Sequence, residues 1–432
     1  MSIQLSLPKS PRWRVKQTFT LMKFPISRGR ISHTVRSEAG WLARALIAPL
    51  NNETIIRRAE QMFASHIGRT ECIAFPFART AIWATLQEIN LPRGSRIIMP
   101  PITIKPILDV IVHLGHEPVF VDVDPTTACF DERELAEVVK TRPTVAVLTY
   151  LFGLVPNVDR IVRMLREHDV FIIEDFSQCL NGEFNCRKIG TFGDVAVYSA
   201  SSVKTFDTFG GGYALANDAR LIAGLRRRQN ELQWPRRTDL LKSITRNFVR
   251  NLASSRALFS LVTYPTLRLA TKFSKKAVGR FTGARSTEPL ANLPDAWFRR
   301  YTSVQAQVAL SELPRVTARD ALRRSAVDQV VASSGVTDRP FGKPGQHHVY
   351  WQFIVYVRDF PRAREALAMH GVDCATTSLV LLTDLPRYPG QRATPWARRL
   401  YDLGVYLPCY HQLRKSELER MAVAIRELAS SS

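Results

Sequence analysis

Residues 194–217 read DVAVYSASSVKTFDTFGGGYALAN, and this stretch decides the fold. A β-branched run, VAVYS, ends in a Ser-rich turn. Lys204 follows, then three glycines and a second short strand. Lys204 is the only lysine between Lys188 and Lys242. Its neighbours are small or apolar, which favours partial desolvation of its ammonium group. Desolvation lowers a lysine's pKa and makes it a better nucleophile toward a carbonyl. On this segment alone, a surface lysine in a glycine-hinged loop fits at least as well. The glycines permit positive φ or a close backbone approach.

Two upstream segments give the lysine company. VFIIEDFSQ, at 170–178, is an apolar strand ending in Asp175. Open α/β sheets bind ligands outside the carboxyl ends of their strands, so a carboxylate there is a candidate ligand group. FPFARTAIW, at 75–83, is a strand and a turn feeding a helix that begins near Arg79 and Thr80. Unpaired amides at a helix start suit a phosphate. Simple capping by Thr80 accounts for the same residues.

Around these segments, short strands and helices alternate. NETIIRRAEQMFASHIG carries Ile56, Ala59, Met62 and Phe63 on one helical face, and ECIAF, RIIMP, PVFVDVD and TVAVLTY are strands. The alternation predicts an α/β fold with a mainly parallel sheet covered by helices on both faces. From about residue 295 the pattern changes. The segments SVQAQVALSEL (helix), HHVYWQFIVYV (strand), PRAREALAMHG (helix) and SELERMAVAIRELA (helix) predict a smaller α+β unit.

The chain has 432 residues and a net charge of +22. Residues 1–50 carry nine Lys/Arg and one acid, and residues 220–285 carry sixteen and two, so the rest of the chain is net neutral. Two basic additions on a neutral body imply an acidic partner. In 239–285 apolar residues recur at helical spacing (Leu241, Ile244, Phe248, Leu252, then Leu258, Phe259, Val262), with Arg246, Arg250 and Arg256 between them and Lys272, Lys275, Lys276 and Arg280 after them. Two readings compete. One is an amphipathic element on an anionic membrane surface, through residues 1–50 and 220–285. The other is a helical excursion packed on the body or on a partner subunit. No nucleic-acid module is recognisable, which disfavours a nucleic-acid partner. No apolar run is long enough to span a bilayer, and no secretory signal pattern is present. The expected location is cytoplasmic, with peripheral attachment to the inner membrane face under the first reading. The six cysteines show no CxxC pair or zinc spacing, so no metal is expected and buried free thiols are.

In order, these segments resemble the pyridoxal-phosphate (PLP) dependent sugar aminotransferases of the DegT/DnrJ/StrS type. The stretches PRGSRIIMPPITI, GHEPVFVDVDPTT, TYLFGLVPNVDRI, FIIEDFSQ, RKIGTFGDVAVYSASSVKT and GVYLPCYHQLRKSELERMA carry the resemblance, which runs from about 53 to 428 and excludes 220–290. It implies a PLP-transferase fold of type I. Together with the charge pattern this gives the following organisation: a basic arm at 1–52, a PLP-binding large domain at 53–219, a basic amphipathic insert at 220–294 and a small C-terminal domain at 295–432. The resemblance implies that Lys204 holds the cofactor as a Schiff base, that Asp175 pairs with the pyridine nitrogen and that Gln178 sits near the ring oxygen. It further implies that Ser199, Arg79 and Thr80 form the phosphate cup. Ile104 stands where the family stacks an aromatic ring on the cofactor. Phe298 replaces an asparagine that reaches a neighbouring subunit's phosphate, and Arg299 and Arg300 adjoin it as substitutes. TTSLVLLTD at 376–384 replaces a histidine-containing segment, and Gly210 replaces a glutamate. The implied activity moves an amino group from an amino acid, glutamate or glutamine, to a keto-sugar, in a homodimer; with the charge placement the expected acceptor is a nucleotide- or lipid-linked keto-sugar. Two alternatives stay open: PLP chemistry of another type (dehydration or amino-acid modification), and a non-catalytic PLP-fold protein at the membrane.

Overall fold

The computed structural model describes residues 24–273, 289–335, 346–388 and 392–430. The first 23 residues of the basic arm, and Lys275, Lys276 and Arg280 of the insert, lie outside them.

A seven-stranded sheet forms the centre, in the order β1-β10-β9-β6-β5-β2-β4. Its strands are β1 (Glu71–Phe75), β2 (Arg96–Met99), β4 (Glu117–Phe120), β5 (Val145–Thr149), β6 (Phe171–Asp175), β9 (Val195–Ser199) and β10 (Gly212–Ala216). Three short strands stand outside it: β3 (Ile102–Thr103), β7 (Glu183–Phe184) and β8 (Arg187–Lys188). Only β10 runs against its neighbours. Alternate residues of these strands point to opposite faces. Cys72, Ala74, Ala146, Leu148, Ile172, Ala196 and Tyr198 enter one apolar core. Ile73, Phe75, Val145, Val147, Ile173, Val195 and Val197 enter the other. Both faces are therefore buried, as the near-continuous apolar runs predict.

Helices cover the two faces. On the first lie α2 (Glu53–Ile67), α5 (Glu132–Val138), α6 (Val158–Arg166) and a long helix, Ser303–Ser334. On the second lie α3 (Ala78–Glu88), α4 (Lys105–His113) and α7 (Ala219–Glu231). Helix α2 starts where Asn52 accepts from the Ile55 amide at 3.2 Å and stops at Gly68, which takes φ +93°. Its inner face is Ile56, Ala59, Phe63, Ala64 and Ile67, with Met62 half-buried at the side. The smaller unit has a three-stranded antiparallel sheet of Phe353–Tyr356, Gly404–Leu407 and Ala375–Thr376. Helices Phe360–Met369, Pro395–Leu403 and Lys415–Ser430 share a separate core with it. The strand expected over HHVYWQFIVYV is only four residues long, because the chain turns at Tyr350, φ +51°, and the Val349 amide donates to the Gly153 carbonyl at 2.7 Å.

The insert divides into parts with different roles. Residues 219–231 form α7, a covering helix of the sheet rather than an addition to it. Helix α8 (Arg237–Ser254) buries Leu240, Ile244, Asn247 and Asn251 against the body. Together with α1 (Val35–Ile47), α8 encloses a small core of Ala45, Ala48, Phe209, Val304 and Val308. The face of α8 that carries Leu240 and Ile244 therefore packs on protein. The following helical segment, Arg256 to Phe273, is different and is taken up below. Five of the cysteines are buried and Cys186 is exposed.

Candidate active site

One sheet edge collects the expected residues. Strands β1, β5, β6 and β9 end there and β10 begins there, since Phe75, Gly212 and Ser199 are in register and so are Thr149 and Asp175. Lys204 sits five residues past the end of β9, in a turn whose backbone is set by the Lys204 amide donating to the Ser201 carbonyl at 3.2 Å. Val203 takes φ +70°, an unusual conformation for a β-branched residue. It is held by the indole N–H of Trp351, which donates to the Val203 carbonyl at 2.9 Å. The same indole lies beneath the lysine, with Nζ 4.0 Å from the ring centroid.

Lys204 is half-buried. Desolvation brings its pKa down to about 8, and the charge of Asp175 opposes that fall. At pH 7 roughly one molecule in ten then carries a neutral amine, far more than for an ordinary lysine. Asp175 is buried at the last position of β6. Burial raises its pKa, while the Ser177 hydroxyl and amide and the charge of Lys204 act the other way. The Ser177 amide donates to its carboxylate at 3.1 Å. Its neighbour Glu174 has a structural task. With no exposed surface, it accepts from Tyr150 and from the amides of Gly190, Phe192 and Gly193.

The glycine run is needed for shape. Gly211 takes φ +129°, and a Cβ there would stand 2.7 Å from the Tyr301 ring. A Cβ on Gly212 would stand 2.1 Å from the Phe77 carbonyl carbon. Close approach at Gly212 brings β10 against the start of α3 and so next to the lysine loop. Helix α3 begins after Phe77 with no side-chain cap, which leaves its first amides available. The Ser199 hydroxyl is 2.9 Å from that of Ser201 on the same edge.

Other expected residues are placed less simply. The Thr80 hydroxyl is buried and donates to the Trp297 carbonyl at 2.7 Å. The Arg79 guanidinium is sandwiched, 4.1 Å from the Phe77 ring and 4.4 Å from the Trp297 ring, and burial lowers its pKa to about 10. Its Nε has no hydrogen-bond partner among the described residues. The Gln178 carbonyl accepts from the Phe152 amide at 2.6 Å, which leaves its NH2 group for any ligand. Ile104 is the residue before α4 and lies between two apolar cores. The 376–384 segment pairs with its neighbour: Val380 and Leu381 are in register with Thr103 and Ile102 of β3. Arg299 and Arg300 are engaged within the chain, Arg299 with Gln233 and Arg300 with Glu53 at 2.6 Å.

Sequence reasoning missed the residues that hold the lysine loop. Asn247 of α8 donates to the Asp207 carboxylate at 2.7 Å and accepts from the Ser202 hydroxyl. The His33 ring meets the Asp207 carbonyl at 2.9 Å. Trp351 and Thr149 were missed too; the buried Thr149 hydroxyl, in register with Asp175, has no partner among the described residues. None carries a local motif. The roles of Asn247, Trp351 and His33 come from contacts across 40 to 174 positions of sequence.

The fold and this edge define a PLP-transferase-like α/β protein. Residues 50–235 match the model of the DegT/DnrJ/EryC1/StrS aminotransferase family, whose members depend on PLP. The GDP-perosamine synthase of Caulobacter vibrioides is 29% identical over 167 residues, 39% of this chain and 45% of that protein. The UDP-N-acetyl-3-dehydro-alpha-D-glucosamine 3-aminotransferase of Acidithiobacillus ferrooxidans is 22% identical over 350 residues, 80% of this chain and 81% of that protein. An aminotransferase from Psychrobacter cryohalolentis has the same fold, with a TM-score of 0.71 at 20% identity, covering 94% of this chain and 99% of that one. Several matched curated relatives are covered over less than half of their length.

The residues fit PLP. A half-buried amine with a depressed pKa suits its aldehyde, a buried carboxylate suits its ring nitrogen, and an uncapped helix start suits its phosphate. Among the described residues no cluster of His, Cys, Asp or Glu could hold a metal ion.

Proposed function

We propose that this protein is a PLP-dependent aminotransferase that moves an amino group from an amino acid, glutamate or glutamine, to a nucleotide- or lipid-linked keto-sugar, and that it works as a homodimer in glycan or secondary-metabolite synthesis. The observation that carries the reading is the placing of Lys204, with its pKa near 8, on the same sheet edge as the buried Asp175 carboxylate. The named relatives that act on sugars support the substrate class.

Bound PLP supplies an electron sink for the carbanion that forms when the amino donor loses its α-proton. Lys204 Nζ holds the cofactor covalently between turnovers. Its free amine would take the proton from the donor's α-carbon and carry it to the cofactor carbon two bonds away. A pKa near 8 suits both tasks, because the amine is basic enough to take the proton and weak enough to release it. Asp175 holds the ring nitrogen protonated. Ser199 and the first amides of α3 anchor the phosphate, with Arg79 adding positive charge behind them. The Gln178 amide group orients the ring oxygen, and Ile104 covers the ring with aliphatic rather than aromatic surface.

Absorption spectroscopy of the purified protein tests this. Added PLP gives the band of lysine-bound cofactor, borohydride fixes the label to Lys204, and glutamate or glutamine converts the band to that of the amine form. Wild-type protein with no lysine-bound band after PLP addition overturns the reading.

A further inference from the structure

The helical segment from Arg256 to Phe273 has two unlike faces. Its inner face is seated on the body. Phe259 is buried with its ring 5.7 Å from that of Tyr264. The Thr263 hydroxyl donates to the Ala253 carbonyl at 2.8 Å. Arg256 binds Glu417 of the closing helix at 3.1 Å. These contacts fix the segment's rotation about its own axis, and so fix what it turns outward.

Turned outward are Leu258, Leu261, Val262, Pro265 and Leu269. Leu261 is 72% exposed, Leu269 56% and Val262 52%. Their spacing is helical, three or four residues at a step, which aligns them in one stripe. A π turn at Phe259–Thr263 widens the helix at the centre of that stripe. Isolated exposed apolar side chains are ordinary, but a periodic row of them on one helix is not.

Basic side chains stand within the segment and on the helix that precedes it. Lys242, Arg246 and Arg250 on α8 and Arg268 within the segment are all exposed. Between residues 237 and 269 the sequence has six Lys/Arg and a single acid, Asp239. No helix among the described residues is long and apolar enough to cross a membrane. An apolar stripe with a basic margin, seated on a folded body, is the form of a helix that lies in an interface plane.

We propose that this outer face docks the protein on an anionic lipid bilayer. Leu258, Leu261, Val262 and Leu269 enter the boundary between headgroups and acyl chains, and the flanking Lys and Arg side chains meet the lipid phosphates. Charge selects this occupant over a second copy of the chain. A two-fold contact sets each basic margin against its own copy, whereas anionic lipid neutralises it. The attachment does not depend on the chemistry at Lys204.

Co-pelleting of the full-length protein with vesicles tests the proposal. Wild type sediments with vesicles of equimolar phosphatidylcholine and phosphatidylglycerol at low salt, and not with phosphatidylcholine alone. Raised salt weakens the binding. The double substitution Leu261→Glu, Leu269→Glu lowers vesicle affinity about tenfold or more, while far-ultraviolet circular dichroism and PLP binding stay as in wild type. The proposal is overturned if wild type stays in the supernatant with the anionic vesicles, or if the double variant binds them as wild type does. It is also overturned if that variant turns a dimer into a monomer by light scattering, since the face then belongs to a second copy. Because PLP binding is read separately, failure here is distinguishable from failure of the aminotransferase reading.

Discussion

Asn247 donates its side-chain amide to the Asp207 carboxylate at 2.7 Å, from a helix the sequence reading set apart to a loop three residues past Lys204. Asn247 has no exposed surface and also accepts from Ser202, two residues before Lys204. One side chain thus spans the lysine from behind. Asn247→Leu leaves a buried carboxylate and a hydroxyl without this partner, a loss of about 1–3 kcal/mol. We expect turnover to fall about tenfold, with a lower melting temperature. Arg246→Ala, at an exposed neighbour on the same helix, leaves both unchanged. Full turnover in Asn247→Leu would remove the positioning role.

Lys204→Ala abolishes the lysine-bound PLP band, and amino transfer drops by roughly 10²–10⁴-fold. Circular dichroism stays near wild type, because the lysine is only half-buried and its Nζ makes no hydrogen bond among the described residues. Borohydride labelling that persists in this variant would place the attachment elsewhere.

The Lys204 amine reacts in its neutral form, so PLP attachment to the apoprotein speeds up as pH rises and levels off above about 8. Asp175 favours the charged form of Lys204. Removing that carboxylate charge lets the lysine lose its proton at lower pH. Asp175→Asn therefore moves the midpoint of the attachment-rate profile below that of wild type, while turnover falls because the ring nitrogen loses its partner. A midpoint that moves upward would contradict the assigned geometry.

Gly211→Ala strains a backbone at φ +129° and drives a methyl group to 2.7 Å from the Tyr301 ring. The φ contribution is about 1–3 kcal/mol. Thermal unfolding should show a clear drop in melting temperature, together with weaker PLP binding, because the Ala200 amide next to the lysine turn donates to the Gly211 carbonyl at 2.9 Å. An unchanged melting temperature would mean that the loop relaxes freely.

Much of the fold was legible because its strands are short apolar runs between helices of clear period. The edge with Asp175, Ser199 and Lys204 was legible because each ends or follows a strand. What covers an apolar helical face was not legible. The same spacing describes α8, whose Ile244 is buried, and the next segment, whose Leu261 is exposed; only tertiary contacts separate them. The helix expected over SVQAQVALSEL ends just before Pro314, a residue without a backbone N–H. The helix continues to Ser334, since packing against α2 and the closing helix outweighs one lost backbone bond. Thr80 illustrates a different limit. A threonine at a helix start looks like a cap or a phosphate ligand, and here its hydroxyl is taken by Trp297, over 200 positions away.

The lysine turn is clasped from two sides by parts of the chain made after it: Asn247 behind, and the Trp351 indole on the Val203 carbonyl in front. During synthesis Lys204 leaves the ribosome well before either. A nascent chain that ends short of residue 351 has the nucleophile and the carboxylate but not the clasp that orients them. Such a chain lacks both the indole under the Lys204 amine and the donor that holds the Val203 carbonyl.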